Sequence, residues 1–126
     1  LMLDTRGFVA ETNATHVFIV RNSNESRGEG DLATGRVVAC PEGITRATVI
    51  EICAAENIRC VETDLSLVDV YRAHEMFCTG TMGELAGVTS VDNRQIGDGR
   101  IGPMTRRLSD LYAKRTATEG VQVVDL

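Results

Sequence analysis

Apolar positions along the chain alternate between short unbroken runs and stripes of helical spacing. Residues 7–21, GFVAETNATHVFIVR, read as a turn followed by one or two strands. Val17, Phe18, Ile19 and Val20 are continuously apolar, β-branched or aromatic, the pattern of a strand buried on both faces. The next stretch, NSNESRGEGDLATG at 22–35, is polar and glycine-rich, which predicts a solvated loop around a short extended piece at Leu32. A brief strand is expected over residues 37–39, before Pro41. Thr45 has the chemistry of a helix cap, and the spacing predicts a helix over 46–57. On it Val49, Ile50, Cys53 and Ala54 form one apolar stripe that Ile52 broadens.

Residues 58–62 read as a strand. Ser66 and Asp69 have the spacing of a capping box, followed by a short helix over 67–73. Residues 75–78 are extended, and 79–83 form a glycine-punctuated turn. The segments 88–91 and 94–96 flank Asp92-Asn93, which predicts a hairpin. Pro103 opens the last helix where its missing N–H costs nothing, and Met104, Leu108, Leu111 and Tyr112 give that helix a second stripe. Short strands alternating with helices indicate an α/β fold in a single domain over 1–126, with spacing too irregular for a doubly wound parallel sheet.

Composition narrows the function classes. With 43% apolar residues the chain can bury a core, and a net charge of -5 without any long basic block argues against nucleic acid as a partner. No apolar run approaches the roughly 20 residues needed to cross a bilayer, so no membrane partner is expected. Cysteines 40, 53, 60 and 78 lack the spacing of a metal pair and read as buried free thiols, suited to a reducing, cytoplasmic setting.

Two glycine/threonine stretches carry the candidate chemistry. Gly43-Ile44-Thr45 precedes a helix, whose first N–H groups have no intrahelical partner and present a partial positive field. A phosphate monoester would receive those N–H groups and the Thr45 hydroxyl; the alternative is that Thr45 merely caps its own helix. In Thr79-Gly80-Thr81-Met82-Gly83, two glycines let the backbone approach a ligand and two hydroxyls can donate to oxyanions, unless this is an ordinary tight turn. Neither stretch is a Walker or Rossmann loop. The two would converge if adjacent strands ended at one edge of a sheet. Glu11, just before a buried strand, needs a basic or N–H partner, or else holds a protonated heteroaromatic nitrogen. His16 and His74 have no nucleophile context, and the sole lysine, Lys114, falls in the polar part of the last helix.

The ordered set GFVAETNATHVFIV (7–20), GITRATVIEIC (43–53), FCTGTMGEL (77–85) and GDGRIGPMTRRL (97–108) resembles the large C-terminal domain of the fold-type IV, D-amino acid aminotransferase-like enzymes. Among these pyridoxal 5'-phosphate enzymes it is most similar to the branched-chain amino acid aminotransferases. The resemblance implies a mixed sheet or pseudo-barrel with flanking helices, and transfer of the amino group of branched-chain L-amino acids to 2-oxoglutarate. D-amino acid aminotransferase, aminodeoxychorismate lyase and a catalytically silent binding domain of the same fold are the alternatives. By resemblance, Glu11 bonds the pyridine nitrogen, Ile44 and Thr45 bind the 5'-phosphate with Gly43 in their loop, and Thr81 beside Gly80 adds a second hydroxyl. Thr81 and Met82 would face the substrate α-carboxylate through their backbone.

Three positions depart from the family pattern. His16 stands where asparagine is usual, Pro41 replaces a leucine that packs on the pyridine ring, and Ala86-Gly87-Val88 follows TMGEL where Pro-Val is common. The resemblance also places the Schiff-base lysine and a phosphate-binding arginine in an N-terminal domain ahead of residues 1–6. It implies that this stretch alone does not transaminate and that the complete chain is a homodimer.

Overall fold

The computed structural model describes residues 1–24, 29–121 and 123. The chain begins with two short strands, β1 (Met2–Leu3) and β2 (Val9–Glu11), paired antiparallel. β3 (His16–Asn24) and β4 (Glu29–Gly35) follow, then helix α1 (Ile44–Ala55), β5 (Cys60–Thr63) and helix α2 (Leu67–Tyr71). β6 (Glu75–Gly80) and β7 (Glu84–Val88) lead to the hairpin β8 (Ser90–Val91) and β9 (Arg94–Gln95), followed by helix α3 (Pro103–Thr118).

Five strands form a mixed sheet in the order β5-β4-β3-β6-β7, in which only the β4–β5 pairing is parallel. β3 is central, and its side chains alternate between two cores. Phe18, Val20, Leu32 and Phe77 face α1 and α3, meeting Val49, Ile52, Cys53, Met104, Leu108 and Tyr112. The Phe18 and Phe77 rings stack across β3 and β6 with centroids 5.1 Å apart. On the other face Val17, Ile19, Ala33 and Met76 pack against Val9, Leu65, Val70 and Ile96. The unbroken apolar run at 17–20 is therefore buried on both sides, as its pattern predicts.

The expected solvated loop at 22–35 is corrected by the structure: β3 runs on to Asn24, and Glu29–Gly35 is a strand. The central part of that expected loop, residues 25–28, lies outside the described residues. β4 uses small residues because its neighbours approach closely. Ala33 is fully buried, the Thr34 hydroxyl donates to the Val17 carbonyl at 2.7 Å, and a Cβ on Gly35 would stand 2.9 Å from the Val9 carbonyl oxygen. Residues 37–39 make a turn rather than a strand, with Val38 exposed, because the chain must reverse there to reach α1. β7 passes through Ala86 and Gly87, where Ile101 lies against the glycine and leaves no room for a side chain.

The helices show smaller corrections. α1 starts one residue before Thr45, with Gly43 as its cap and no side-chain cap bond, and Ala54 faces solvent while Val49, Ile52 and Cys53 are buried. Of the four free cysteines only Cys53 is fully buried. The Asp92-Asn93 hairpin forms, with both residues at positive φ, and Pro103 stands in the first turn of α3.

The capping box also forms: Ser66 N–H and Oγ–H donate to Asp69 Oδ2 at 2.8 and 2.6 Å, and Asp69 N–H donates back to Ser66 Oγ. The Ser66 hydroxyl, followed by its N–H, holds the Asp69 carboxyl below its ordinary value of 3.8 against the opposing effect of burial. A carboxyl depressed in the folded state contributes stability above its unfolded value and loses it as pH falls through the folded one. Ser66→Ala is expected to cost about 1 kcal/mol at neutral pH. The difference between variant and wild type in urea titrations should shrink below pH 3.8.

Candidate functional site

Strand direction assembles the site. β3 and β6 are antiparallel, with His16 opposite Thr79, so the start of β3 and the end of β6 lie at one edge of the sheet. β2 arrives at the same edge through a turn held by Thr12, whose N–H donates to the Thr15 carbonyl at 2.8 Å and whose hydroxyl meets the Thr15 hydroxyl at 2.6 Å. α1 begins over that edge. Between these elements lies a cavity of about 290 Å³.

Glu11, Pro41, Gly43, Ile44, Thr45, Gly80 and Thr81 all line this cavity. Seven of the eight positions that the resemblance places around cofactor or substrate are thus brought together. The eighth, Met82, lies on the adjoining turn with its side chain wholly in solvent, outside the cavity wall. Thr79, whose hydroxyl the second glycine/threonine stretch already offers as a donor, also joins the lining, with His16 and Arg46, which read in sequence as strand and helix residues rather than as donors.

The helix ends differ in a way that bears on charge. The N-terminus of α2 is closed by its capping box, and that of α3 by the buried carboxylate of Glu75, which accepts from Met104 N–H, Thr105 N–H and the Thr105 hydroxyl at 3.0, 2.8 and 2.7 Å. α1 has no side-chain cap and no acidic residue in its first turn. Among the described residues the N–H groups of Ile44, Thr45 and Arg46 donate to no protein group, and they open on the cavity. That leaves the positive end of a 12-residue helix at the cavity wall.

The hydroxyls agree with this. Thr79 Oγ1 is buried with no hydrogen-bond partner among the described residues, a state that costs about 1–3 kcal/mol and asks for a reason. Thr45, released from capping, is buried against the cavity, and Thr81 is exposed at its rim. Gly43 and Gly80 are both needed for close approach. A Cβ on Gly43 would stand 2.5 Å from His16 Cε1, and one on Gly80 would stand 2.9 Å from Thr15 Cγ2.

Glu11 is half-buried, and among the described residues its carboxylate makes neither an ion pair nor a hydrogen bond. Among the described residues none supplies the basic partner that a purely structural carboxylate would need. Arg46 is committed elsewhere, donating to the Gly35 carbonyl at 2.9 Å and to the Glu62 carboxylate. Burial, together with the negative charge of Glu11, pushes the Cys40 thiol up, so it is no nucleophile at neutral pH. His74 and Lys114 are exposed and remote from the cavity. No group of three metal-ligating side chains occurs among the described residues, and no helix among them is long and apolar enough to cross a membrane.

An oxyanion and a cationic ring nitrogen are what this arrangement can hold at once, and known proteins with the same fold bind such a molecule. The model of the amino-transferase class IV family matches residues 1–91. Branched-chain-amino-acid aminotransferase-like protein 1 of Arabidopsis thaliana is 44% identical over 123 residues, 98% of this chain and 21% of that protein. The branched-chain-amino-acid aminotransferase of Pseudomonas aeruginosa is 38% identical over 112 residues, 89% of this chain and 34% of that protein. The crystal structure of the branched-chain amino acid aminotransferase from Thermobaculum terrenum, in its PLP-form, superposes with a TM-score of 0.81 at 33% identity, covering 90% of this chain and 36% of that one. The branched-chain amino acid aminotransferase from Escherichia coli gives 0.81 at 32% identity, again covering 90% and 36%. The chain therefore spans about a fifth to a little over a third of these relatives. Its mixed sheet with flanking helices has the fold-type IV architecture, closely resembling that of the branched-chain enzymes, and the chain belongs to the class IV aminotransferase family.

Proposed function

We propose that this chain is the pyridoxal 5'-phosphate-binding part of an aminotransferase that moves the amino group of branched-chain L-amino acids to 2-oxoglutarate. The observation that carries the reading is one cavity lined both by the uncapped start of α1 and by Glu11, with the Glu11 carboxylate and the Thr79 hydroxyl each without a partner among the described residues. Those features fit the cofactor's two ends, an oxyanion and a basic ring nitrogen.

The N–H of Ile44 and the hydroxyls of Thr45 and Thr81 would hold the phosphate, and Gly43 and Gly80 keep Cβ atoms out of its way. Glu11 would keep a proton on the ring nitrogen, since an anion beside a cation favours the charged form. Pro41 offers an apolar face to the ring. The backbone of Thr81 and Met82 would receive the substrate α-carboxylate. When bound, the cofactor supplies an electron sink for the pair left as Cα loses its proton. The lysine that moves this proton belongs in our reading to a separate N-terminal domain and the working enzyme is a homodimer, while the four free thiols of this chain suit the cytoplasm.

The test is a titration of the isotopically labelled chain with pyridoxamine 5'-phosphate, followed by amide nuclear magnetic resonance. The amides of Ile44, Thr45, Arg46 and Thr81 should shift together, while pyridoxamine lacking the phosphate leaves the first three in place. Shifts that map elsewhere, or none at millimolar ligand, would reject the reading.

A further inference from the structure

We propose that His16 is a positioning residue that sets the loop from which the α1 N–H groups are presented, an inference that rests on the anion-binding reading of that helix end. His16 is only 7% exposed and stands on the cavity wall at the start of β3. Its Nε2 lies 2.6 Å from the Pro41 carbonyl oxygen. A carbonyl can only accept, so Nε2 must carry the hydrogen and donate it. The rest of the ring supports the same loop two residues on: the glycine cap of α1, at φ 71° and ψ 118°, lies so close that a Cβ there would stand 2.7 Å from Nδ1.

One imidazole thus fixes both the carbonyl at 41 and the cap at 43. Little else ties this loop to the sheet. Among the described residues, the remaining hydrogen bond from 40–43 to a strand is the weak contact of the Cys40 thiol with the Ala10 carbonyl at 3.5 Å. The helix cap has no side-chain bond of its own. The direction of the N–H groups of residues 44–46 consequently depends on a ring anchored in the sheet, and a displacement of the loop of about 1 Å is enough to spoil such an array.

This gives His16 a role distinct from core filling. A packing residue is replaceable by a ring of similar size, whereas a clamp needs a donor at the Nε2 position. His16→Phe keeps the ring and removes the donor; His16→Gln places an amide N–H close to where Nε2 stands. Two measurements on the ligand-free chain come first. Long-range nitrogen–proton spectra should show the hydrogen of the neutral ring on Nε2, and His16→Phe should move the amides of residues 43–46 while His16→Gln leaves them near their wild-type positions. With ligand, His16→Phe should bind pyridoxamine 5'-phosphate roughly tenfold more weakly than wild type, and His16→Gln within about threefold. Neither should alter the weaker binding of pyridoxamine.

A neutral ring protonated on Nδ1 alone, unmoved amides in His16→Phe, or equal losses in the two variants would overturn the proposal. If His16→Phe does not fold, the ring tautomer and His16→Gln decide the matter. If the wild-type amides ignore the phosphate, the cofactor reading falls, and the ligand-free measurements still judge the clamp separately.

Discussion

Glu75→Ala is expected to destabilise the chain by roughly 3–5 kcal/mol, the magnitude found when one side of a buried, charged hydrogen-bond set is removed. Glu75 opens β6 and is 5% exposed, yet it is no isolated charge, because both carboxylate oxygens are taken by the first turn of α3. The substitution strands two helix N–H groups and the Thr105 hydroxyl beneath a tightly packed cap. Gly102, the cap of α3, lies so close to the carboxylate that any Cβ there would collide with it. Glu75→Gln should cost less, about 1–2 kcal/mol, since the amide keeps one acceptor but loses the attraction between a full charge and the helix end. Urea titrations with unchanged slope would measure both. An alanine variant within about 1 kcal/mol of wild type would contradict the account.

That result would bear on the site as well as on stability. Among the described residues three helices begin, and the sequence supplies an internal acid for two of them. The third is left open to a cavity that also contains Glu11. If Glu75 holds its helix as strongly as expected, an anion placed at the open end of α1 would gain from the same kind of interaction.

Much of this was legible in the sequence because it rests on local signals. The run at 17–20, Pro103, the Ser66/Asp69 box and the Asp92-Asn93 turn each act over a few residues, and each forms as its chemistry predicts. β4 and β7 were not legible. Their small residues answer to partners far away, as Gly35 answers to Val9 and Gly87 to Ile101, and composition alone makes such stretches look like loops. The gathering of Glu11 with the two glycine/threonine stretches was foreshadowed by the order of motifs, but it depends on His16 pairing with Thr79, a register no single strand encodes. The Thr79 hydroxyl is offered as a donor by its glycine/threonine stretch, but its burial without a partner among the described residues follows from the place of Thr79 in the β3–β6 pairing, where the sequence pattern predicts a turn.

The largest functional effect is expected at Glu11. In a catalytically active polypeptide that includes this chain, Glu11→Ala should lower kcat by about 10²–10³, the range seen when one preorganised electrostatic partner of a reacting centre is removed. Glu11 stands at the end of β2, its strand paired with β1 and the following turn pinned by Thr12, so the backbone that carries the carboxylate is held in place. Free of other partners among the described residues, its full charge is available to a ring nitrogen. In the proposed role, removing that charge would weaken the hold on a proton at the ring nitrogen, and with it the electron-sink chemistry that the cofactor would supply. It leaves untouched the N–H groups of residues 44–46 and the hydroxyls of Thr45 and Thr81, so affinity for pyridoxamine 5'-phosphate should fall by less than about tenfold. Thr45→Val should show the converse, with weakened cofactor binding and a kcat at saturating cofactor close to wild type. Glu11→Gln separates charge from shape: its kcat should stay near that of Glu11→Ala if the proton on the ring nitrogen is what matters. An Ala variant with unimpaired kcat, or one that loses cofactor affinity and kcat in equal measure, would remove Glu11 from the role assigned to it.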